Sequence, residues 1–187
     1  MDREFHYNTI FCLAREAGFD AETSLVIAAS SQLVDDAVFN IDLELPDRTL
    51  QLTMTQNYEF WNAEIQNSVY LPFHFIPGNG SGTASVFKNG KTNTFSVAPN
   101  GDIAKEALVY CLGEKDPYLI GIGLHAFADT WAHQNFSAKN EDWNRVLRPD
   151  AAPNAALALS AGHMQAGTNP DTIGSVWEDP RLEKPSV

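Results

Sequence analysis

The sequence predicts a mainly α-helical fold: a bundle of helices with a small strand and loop insertion in the middle of the chain. Two patterns predict it. Apolar residues recur at intervals of three and four near both ends of the chain, which is the helical period. Between about residues 38 and 100 the chain instead alternates apolar and polar residues and is dense in Gly, Asn, Ser and Thr. With 187 residues, 44% of them hydrophobic, the chain has the size of a single domain, residues 1–187.

The first two helices are predicted from periodicity and from residues that begin or end helices. The first covers Arg3–Ala17 and stops at Gly18, which suits the left-handed backbone that often follows a helix. Asp20 is a suitable N-cap for a second helix that runs to about Asp36, because its carboxylate can accept hydrogen bonds from free backbone N–H groups.

The insertion is predicted to consist of short strands and loops. Ile41–Met54 alternates apolar and polar residues, as a half-buried strand does. Val69–Ile76 is a short apolar run interrupted by proline and is predicted as strand or loop, whereas Tyr58–Ile65 fits a helical turn or a strand. The pair Asn89 and Gly90 predicts the turn of a β-hairpin.

Helical character returns after the insertion. Asp102 is predicted to cap a helix that ends at Gly113. The next helix starts at Pro117 and runs to about Gln134; it is apolar on nearly all sides, so it is predicted to be the central helix. A last helix is predicted over Pro153–Gln165.

Composition excludes several classes of function. A formal net charge of -12 opposes binding to the phosphate backbone of a long nucleic acid and is compatible with binding of cations. No apolar stretch reaches the roughly 18 residues of a transmembrane helix, and the polar, acidic start is unlike a secretory signal, so a cytoplasmic protein is expected. Cys12 and Cys111 lie in apolar helical segments and are predicted as buried thiols, with a disulfide between them left open. They form no CxxC pair, which excludes a thiolate zinc finger.

The strongest functional pattern lies on the predicted central helix, where His125, Asp129 and His133 are spaced by four. A step of four residues drifts only about 40° around a helix axis, so the three side chains lie along one stripe. Imidazole and carboxylate are ligands that bind zinc and similar transition metals. The stripe therefore predicts a divalent-metal site inside the helical bundle.

The neighbours of Asp129 indicate that its carboxylate is buried without a cationic partner. Apolar and small residues flank it, and no Lys or Arg occurs between Lys115 and Lys139. A buried carboxylate costs on the order of several kcal/mol unless it is paired or coordinates a metal. A bound cation is the predicted partner, and a hydrogen-bonded His-Asp-His ladder without metal is the alternative.

The other three histidines are candidates for the same site. His6 lies on the predicted first helix. His74 lies between apolar neighbours on a predicted strand or loop. His163 lies late in the predicted last helix, and Asp171 follows it in the chain.

Two adjacent acids, Asp35 and Asp36, end the predicted second helix. The helix dipole disfavours acids at this end by up to about 1 kcal/mol. Either a bound cation or simple solvation must offset this cost, so both acids are candidate ligands.

Five segments resemble, in the same chain order, the superfamily of zinc-dependent phospholipase C and the single-strand-specific nucleases. They are DREFHY, SQLVDD, PFHFIPG, LHAFADTWAHQNFS and AGHMQAGTNPD. The HxxxDxxxH core is the most specific of them, and together they span the chain from residue 2 to about residue 180. The chain is thereby expected to be a member of an uncharacterised bacterial family related to that superfamily.

The resemblance implies a helical domain that holds clustered zinc ions, one to three in this chain. It implies a set of ligands in chain order: His6, Asp35 or Asp36, His74, His125, the bridging acid Asp129, His133 and His163. The chain departs from the family pattern in the short spacing from Asp129 to His133 and in Gly167, which stands where an acid is usual. Asp171 would replace that acid from a loop.

The resemblance also implies an activity, hydrolysis of phosphoric esters by metal-activated water that attacks phosphorus. The substrate would be a small phosphoester or a lipid headgroup. One of Asp35 and Asp36 would ligate a metal, and the other would serve as general base.

The substrate mouth and two other functions complete the expectations. The stretch around Pro77–Gly82 and the aromatic residues Trp61, Trp131 and Trp143 are expected to shape the mouth. A non-catalytic, metal-stabilised binding or structural protein is the alternative function. An HD-type phosphohydrolase ranks last, because no adjacent His-Asp dipeptide occurs.

Overall fold

The computed structural model describes residues 2–78, 85–146 and 160–184. Helices dominate these ranges, and the strands named within them form one two-stranded sheet, so the mainly α prediction is confirmed. None of the described helices is long and apolar enough to cross a membrane.

The N-terminal helix, α1, has two geometries. It is π-helical over Glu4–Thr9 and α-helical over Ile10–Glu16. The chain then turns at Gly18, whose φ of 96° lies in the left-handed region that glycine adopts without strain. The predicted first helix is therefore present, but its first half is wound more widely than an α-helix.

The second helix, α2, covers Ala21–Asp36. It begins as predicted, because the carboxylate of Asp20 accepts a hydrogen bond from the backbone N–H of Thr23 at 2.8 Å. Ile10 of α1 and Ile27 of α2 belong to one buried apolar cluster, which holds the two helices together.

The insertion begins with a hairpin that matches the predicted strand pattern of Ile41–Met54. Strands β1 (Ile41–Glu44) and β2 (Thr49–Leu52) are antiparallel, with Ile41 opposite Leu52. Both strands are largely exposed, so the hairpin adds little to the core.

A helical segment, α3, follows the hairpin. It is α-helical over Ala63–Ile65, π-helical over Gln66–Tyr70 and α-helical again over Leu71–Phe73. This segment lies inside the region that the sequence predicts as strands and loops.

The prediction of strand or loop for Val69–Ile76 is therefore wrong over most of its length. Pro72 lacks a backbone N–H and would interrupt an ordinary α-helix. The π turn before it ends with the N–H of Leu71 donating to the carbonyl of Gln66, five residues back, so the hydrogen bonding is already shifted where the proline enters. A helix can thus pass the proline.

The predicted Asn89 and Gly90 turn is present, but it joins no hairpin. The N–H of Gly90 donates to the carbonyl of Phe87 at 2.9 Å. Phe87 forms its β-bridge with Leu182, a residue far along the chain, rather than with the residues just after the turn. Tertiary pairing has replaced the local pairing that the sequence indicates.

Helix α4 covers Asp102–Glu114. Its N-cap is Gly101, so Asp102 is the first helical residue and not the cap as predicted, although an acid in the first turn still favours the helix dipole. The helix passes the predicted stop at Gly113 and ends before Lys115, which takes the left-handed conformation with a φ of 58°.

Helix α5, Pro117–Ala132, is the central helix, as predicted, and packs on both α2 and α4. Two glycines allow this close approach. A Cβ at Gly121 would collide with the carbonyl oxygen of Ile27 on α2, and a Cβ at Gly123 would lie 2.9 Å from the Sγ of Cys111 on α4.

The two cysteines are both free, which settles the disulfide that the sequence left open. Cys111 is buried as predicted. Cys12 is exposed, against the prediction, because it lies on the side of α1 that faces away from α2.

The last helix predicted, over Pro153–Gln165, falls mostly outside the described residues. Its described end is not α-helical, since Gly162 has a φ of 52° and only a short 3-10 turn, Met164–Ala166, follows. His163 therefore lies in a turn and not on a helix.

Candidate metal centre

Eight of the nine predicted site residues come together in one group of contacting imidazoles and carboxylates, which we call the His/Asp cluster. They come from five parts of the chain, namely α1, the end of α2, the residue after α3, α5 with its C-cap, and the C-terminal turns. The members are His6, Asp35, His74, His125, Asp129, His133, His163 and Asp171.

Asp129 lies at the centre of the His/Asp cluster and is completely buried. Its Oδ1 lies 3.1 Å from Nε2 of His6. Its Oδ2 lies 3.2 Å from Nδ1 of His74 and 3.4 Å from Nε2 of His125. Nδ1 of His133, one turn further along, lies 3.6 Å from the same oxygen. One carboxylate therefore faces four imidazoles.

Asp35 and Asp36 are separated by the geometry of α2, since adjacent helical residues point about 100° apart. Oδ1 of Asp35 lies 3.7 Å from Nδ1 of His74 and from Nε2 of His125. Asp36 is exposed and accepts a hydrogen bond from Gln32 at 3.2 Å. The structure thus brings Asp35 to the cluster and leaves Asp36 outside it, in position for neither of its predicted roles.

Three of the histidines have a fixed proton position, because one ring nitrogen of each lies against a backbone carbonyl, which can only accept. Nε2–H of His74 donates to the carbonyl of Thr55 at 2.8 Å. Nδ1–H of His133 donates to the carbonyl of His74 at 2.6 Å, and Nδ1–H of His163 donates to that of Gly167 at 3.1 Å. Each neutral ring then presents its other nitrogen as a lone pair.

These lone pairs point at carboxylate oxygens, which are acceptors as well. Nδ1 of His74 faces Asp129 at 3.2 Å. Nε2 of His133 and Nε2 of His163 face the two oxygens of Asp171 at 3.2 and 3.3 Å. Acceptors this close repel each other unless a proton or a metal cation lies between them. Metal-bound histidines characteristically donate their second N–H to a carbonyl or carboxylate, which is the arrangement found here.

The ligand atoms fall into three groups, in each of which all lie within 4.8 Å of one another. Two groups share His125 and form the inner part of the cluster, and the third forms the outer part. The inner groups are His6, His125 and Asp129, and Asp35, His74 and His125; the outer group is His133, His163 and Asp171.

His6 and His125 form a stacked pair of fully buried rings, with centroids 3.8 Å apart. Nδ1 of each has no hydrogen-bond partner among the described residues, while Nε2 of each faces the carboxylates. Two stacked cations would repel each other, so the pair favours neutral rings.

A model described as a family of unknown function, DUF6765, matches residues 1–187. The chain belongs to the DUF6765 family. No curated protein and no solved structure matches it. The expectation of an uncharacterised family is confirmed, whereas these comparisons do not confirm the resemblance to phospholipase C.

Burial shifts several pKa values in this DUF6765 protein toward the metal-binding forms. It lowers the pKa of His125 and of His163 to about 4 each, and it also lowers the pKa of His6. Burial acts to raise the pKa of Asp129, but the surrounding imidazoles, His133 first, hold it well below its ordinary value. Neutral imidazole and ionised carboxylate are the forms that bind metal.

His133 and Asp35 are shifted in the opposite sense. Burial acts to lower the pKa of His133, but the charge of Asp129 and the hydrogen bond with Asp171 hold it above its ordinary value. Burial raises the pKa of Asp35. His133 is therefore the imidazole most able to keep a proton when no cation is bound.

A cavity of about 230 Å³ opens beside the His/Asp cluster. Its polar surface includes Asp35 and the outer group, so these ligands face the cavity. Its apolar wall consists of the aromatic rings of Tyr58, Phe60, Tyr70 and Phe75. The cavity thus joins an aromatic surface to a group of cation ligands.

Sequence reasoning missed this aromatic wall and the carbonyl of Thr55. The predicted mouth residues lie elsewhere, since Trp61 is 63% exposed and Trp131 41% exposed, and neither lines the cavity. Trp143 stacks on Phe87 in a different part of the DUF6765 fold. Part of the predicted glycine-rich rim, residues 79–82, lies outside the described residues.

Proposed function

We propose that this chain is a metal-dependent hydrolase of phosphoric esters, with zinc foremost among the divalent cations. The observation that carries the proposal is the orientation of His74, His133 and His163. Each gives its N–H to a backbone carbonyl and turns a lone pair toward carboxylate oxygens. Nitrogen and oxygen acceptors of this kind are the ligands that a transition metal binds. Without a metal, Nε2–H of His125 can donate to Nδ1 of His74 at 3.2 Å, which is the hydrogen-bonded alternative.

The donor groups support one to three cations. The outer group would hold one with His133, His163 and Asp171, and the inner groups would hold one or two more. Asp129 would be shared by the inner cations, because its Oδ1 faces His6 and its Oδ2 faces His74. The order of ligands along the chain agrees with what the resemblance to the phospholipase C superfamily implies.

Cations bound in the cluster would polarise a phosphoryl oxygen and make water a better nucleophile at neutral pH. Asp35 is the chain's best candidate for general base. It borders the cavity and its side chain is 25% exposed, so its carboxylate can reach water there. In this role Asp35 would act as base and not as a ligand of the inner cation.

The cavity favours a small phosphoester or a lipid headgroup as substrate. The aromatic wall of the cavity offers apolar surface to the organic part of the ester and keeps bulk water away. The rings of this wall are those of Tyr58, Phe60, Tyr70 and Phe75. The net charge of -12 disfavours a long nucleic acid.

A metal-stabilised binding or structural protein without turnover is the second candidate. The complete burial of His6, His125 and Asp129 favours it, because a closed site holds a structural ion. The outer group borders the cavity and favours catalysis, so the two candidates differ in what the outer group does.

The deciding experiment measures metal content and hydrolysis on the same preparation. Elemental analysis of the purified protein should give at least about one equivalent of zinc or a similar ion per chain. A generic phosphodiester should be hydrolysed before chelation, not after it, and again when zinc is restored. Less than one equivalent would contradict the metal centre, and metal without hydrolysis would favour the structural alternative.

A matched pair of variants tests the residues. Asp35→Asn removes a carboxylate that faces the cluster, whereas Asp36→Asn makes the same change at the exposed neighbour. Activity should fall strongly in the first and stay near wild type in the second. Equal activities would contradict the assignment of Asp35.

A further inference from the structure

Three aromatic rings contact one another at the outer group, with centroids of Phe75 and His163 6.2 Å apart. The ring of Phe75 stacks on His133 with centroids 4.3 Å apart and an interplanar angle of 15°. His133 in turn stacks on His163 at 4.8 Å and 27°. The position of Phe75 therefore bears directly on two of the three outer ligands.

Gly162 lies against the same phenyl ring. A Cβ at this position would lie 2.5 Å from Cζ of Phe75 and 3.2 and 3.3 Å from Cε1 and Cε2. Side chains do not approach this closely, so any larger residue would displace the ring. Gly162 also has a φ of 52°, and its N–H donates to the carbonyl of Ser137 at 3.2 Å, which fixes its backbone beside the ring.

We propose that Gly162 is a positioning residue for the outer metal-binding group. Because Gly162 has no side chain, Phe75 can hold the rings of His133 and His163 in the orientation that binds a cation. The inference rests on the proposed function, because it assumes that the outer group binds a cation. Gly162 also lines the cavity, but in this role it acts through the contacts of Phe75 with the rings of His133 and His163.

Steric contact distinguishes Gly162 from other glycines with positive φ. Gly90 and Gly174 have φ values of 66° and 73°, yet nothing lies within 4 Å of a Cβ added at either. Gly174→Ala is the control for the cost of a side chain at a left-handed position without a steric contact. Gly162 directly precedes His163, so strain of its backbone could also reach that ligand, and the Phe75→Leu double variant described below separates this effect from the ring contact.

The test is a zinc-binding titration at controlled free zinc, independent of any hydrolysis assay. His163→Ala, which lacks an outer ligand, defines the zinc that belongs to the outer group. Gly162→Ala should weaken that class of zinc by about tenfold to a hundredfold, the range seen when groups that support a ligand are changed. It should leave the remaining zinc bound, and Gly174→Ala should bind zinc like wild type.

A second variant shows whether the effect passes through the ring. Phe75→Leu in the Gly162→Ala background removes the colliding atoms, so the double variant should bind outer zinc more tightly than Gly162→Ala. The loss caused by Gly162→Ala should also be smaller when it is measured against Phe75→Leu alone. Absorption of Co²⁺ added in place of zinc gives a spectroscopic measure of the outer coordination geometry. Its spectrum should change in Gly162→Ala and not in Gly174→Ala.

The outcomes separate this inference from the function on which it rests. Wild-type outer affinity in Gly162→Ala, or equal losses in Gly162→Ala and Gly174→Ala, would overturn the inference alone. Wild-type protein that binds no zinc would overturn both. If Gly162→Ala does not fold, the double variant decides: recovered folding with outer zinc supports the inference, and failure to recover either overturns it.

Discussion

A single proton on each histidine decides what the His/Asp cluster can bind. The carbonyls of Thr55, His74 and Gly167 fix that proton on three rings, and none of these acceptors can be altered by a side-chain change. The backbone therefore sets which nitrogen faces the carboxylates. The groups that support these ligand rings are therefore backbone carbonyls, which hold the rings with little freedom.

Asp129 gives the sharpest residue-scale prediction. Asp129→Asn keeps the size of the side chain, but it removes the charge and replaces one oxygen acceptor with an NH₂ donor. Because the carboxylate faces four imidazoles, zinc affinity should fall by more than the roughly 10–100-fold caused by changes in supporting groups. A competition titration against a chromophoric chelator measures this. An unchanged affinity would show that no cation is held at Asp129.

The residue scale also shows what the sequence could reveal. The spacing of His125, Asp129 and His133 predicts their proximity because helix geometry is a local rule. The choice of Asp35 over Asp36 needs the structure: Asp35 follows Ile27 and Ser31 in steps of four, and both of these are fully buried. The sequence does not show which face of this helix is buried, so the two acids are equivalent candidates at that level.

Helices with π turns carry or precede two of the ligands. His6 lies inside the π turn Glu4–Thr9, and His74 follows α3, whose π turn is Gln66–Tyr70. A π turn contains one residue more than an α turn, so it changes the direction of every side chain before it. Such turns are frequent at functional sites, and here both are associated with ligand histidines.

Deleting Asn8 tests the π turn of α1 directly. Loss of one residue should restore α-helical winding and rotate the residues before it by about 100°, which turns His6 away from Asp129. Zinc content should fall to that of His6→Ala, by elemental analysis. The control is Asn8→Ala at the same exposed position, which keeps the chain length. A deletion variant with wild-type zinc would contradict a role for the winding.

The start of α5 offers a prediction about stability rather than binding. Asp116 caps this helix by accepting hydrogen bonds from the N–H groups of Tyr118 and Leu119 at 2.8 and 3.4 Å. Asp116→Ala should lower the free energy of unfolding by about 1 kcal/mol, as loss of an N-cap usually does. Urea unfolding checks this. Zinc content should be unchanged, because His125 lies more than two turns away.

Elements of the insertion could be predicted only where local pattern decides their structure. The hairpin Ile41–Leu52 follows its alternation, whereas α3 contradicts the local signal of Pro72. The aromatic wall depends on how the insertion packs against α5 and the C-terminal turns. No local pattern encodes that packing, so Tyr58 and Phe60 could not be identified as cavity residues from sequence alone.

The whole molecule brings distant parts of the chain to one site. The N–H of Asp2 donates to the carbonyl of Asp171 at 3.0 Å, which ties the N-terminal helix to the C-terminal turns that carry outer ligands. Ligands therefore come from both ends of the described chain. A site assembled in this way is complete only in the folded protein, so metal binding and folding should be coupled.

The metal-free protein should lose stability in mild acid. Burial lowers the pKa of His125 and His163 to about 4, and that of His6 below its ordinary 6.5. Between pH 4 and pH 6.5 the unfolded chain therefore binds more protons at these histidines than the folded chain does. Their contribution to stability is complete above pH 6.5 and is lost as the pH falls toward 4. Asp35 and His133, whose pKa values are raised, oppose this change, but they are fewer than the three imidazoles whose pKa values are lowered.

Urea unfolding after dialysis against a chelator checks this pH dependence. The free energy of unfolding should be lower at about pH 5 than at about pH 7 by an amount on the order of a few kcal/mol. His163→Ala should reduce the difference, because it removes one of the buried imidazoles. A stability that rises on acidification would contradict the prediction.

The close approach of bare nitrogens to carboxylates has a calorimetric consequence. Without a cation, hydrogen ions must occupy some of these gaps, and His133 beside Asp171 is where one is held most firmly. Zinc that binds there then displaces these hydrogen ions, which the buffer takes up. The measured heat should differ between two buffers that bind zinc weakly, such as PIPES and HEPES, by the difference in their ionisation enthalpies, multiplied by the number of hydrogen ions released. Identical heats in the two buffers would mean that the gaps were never filled.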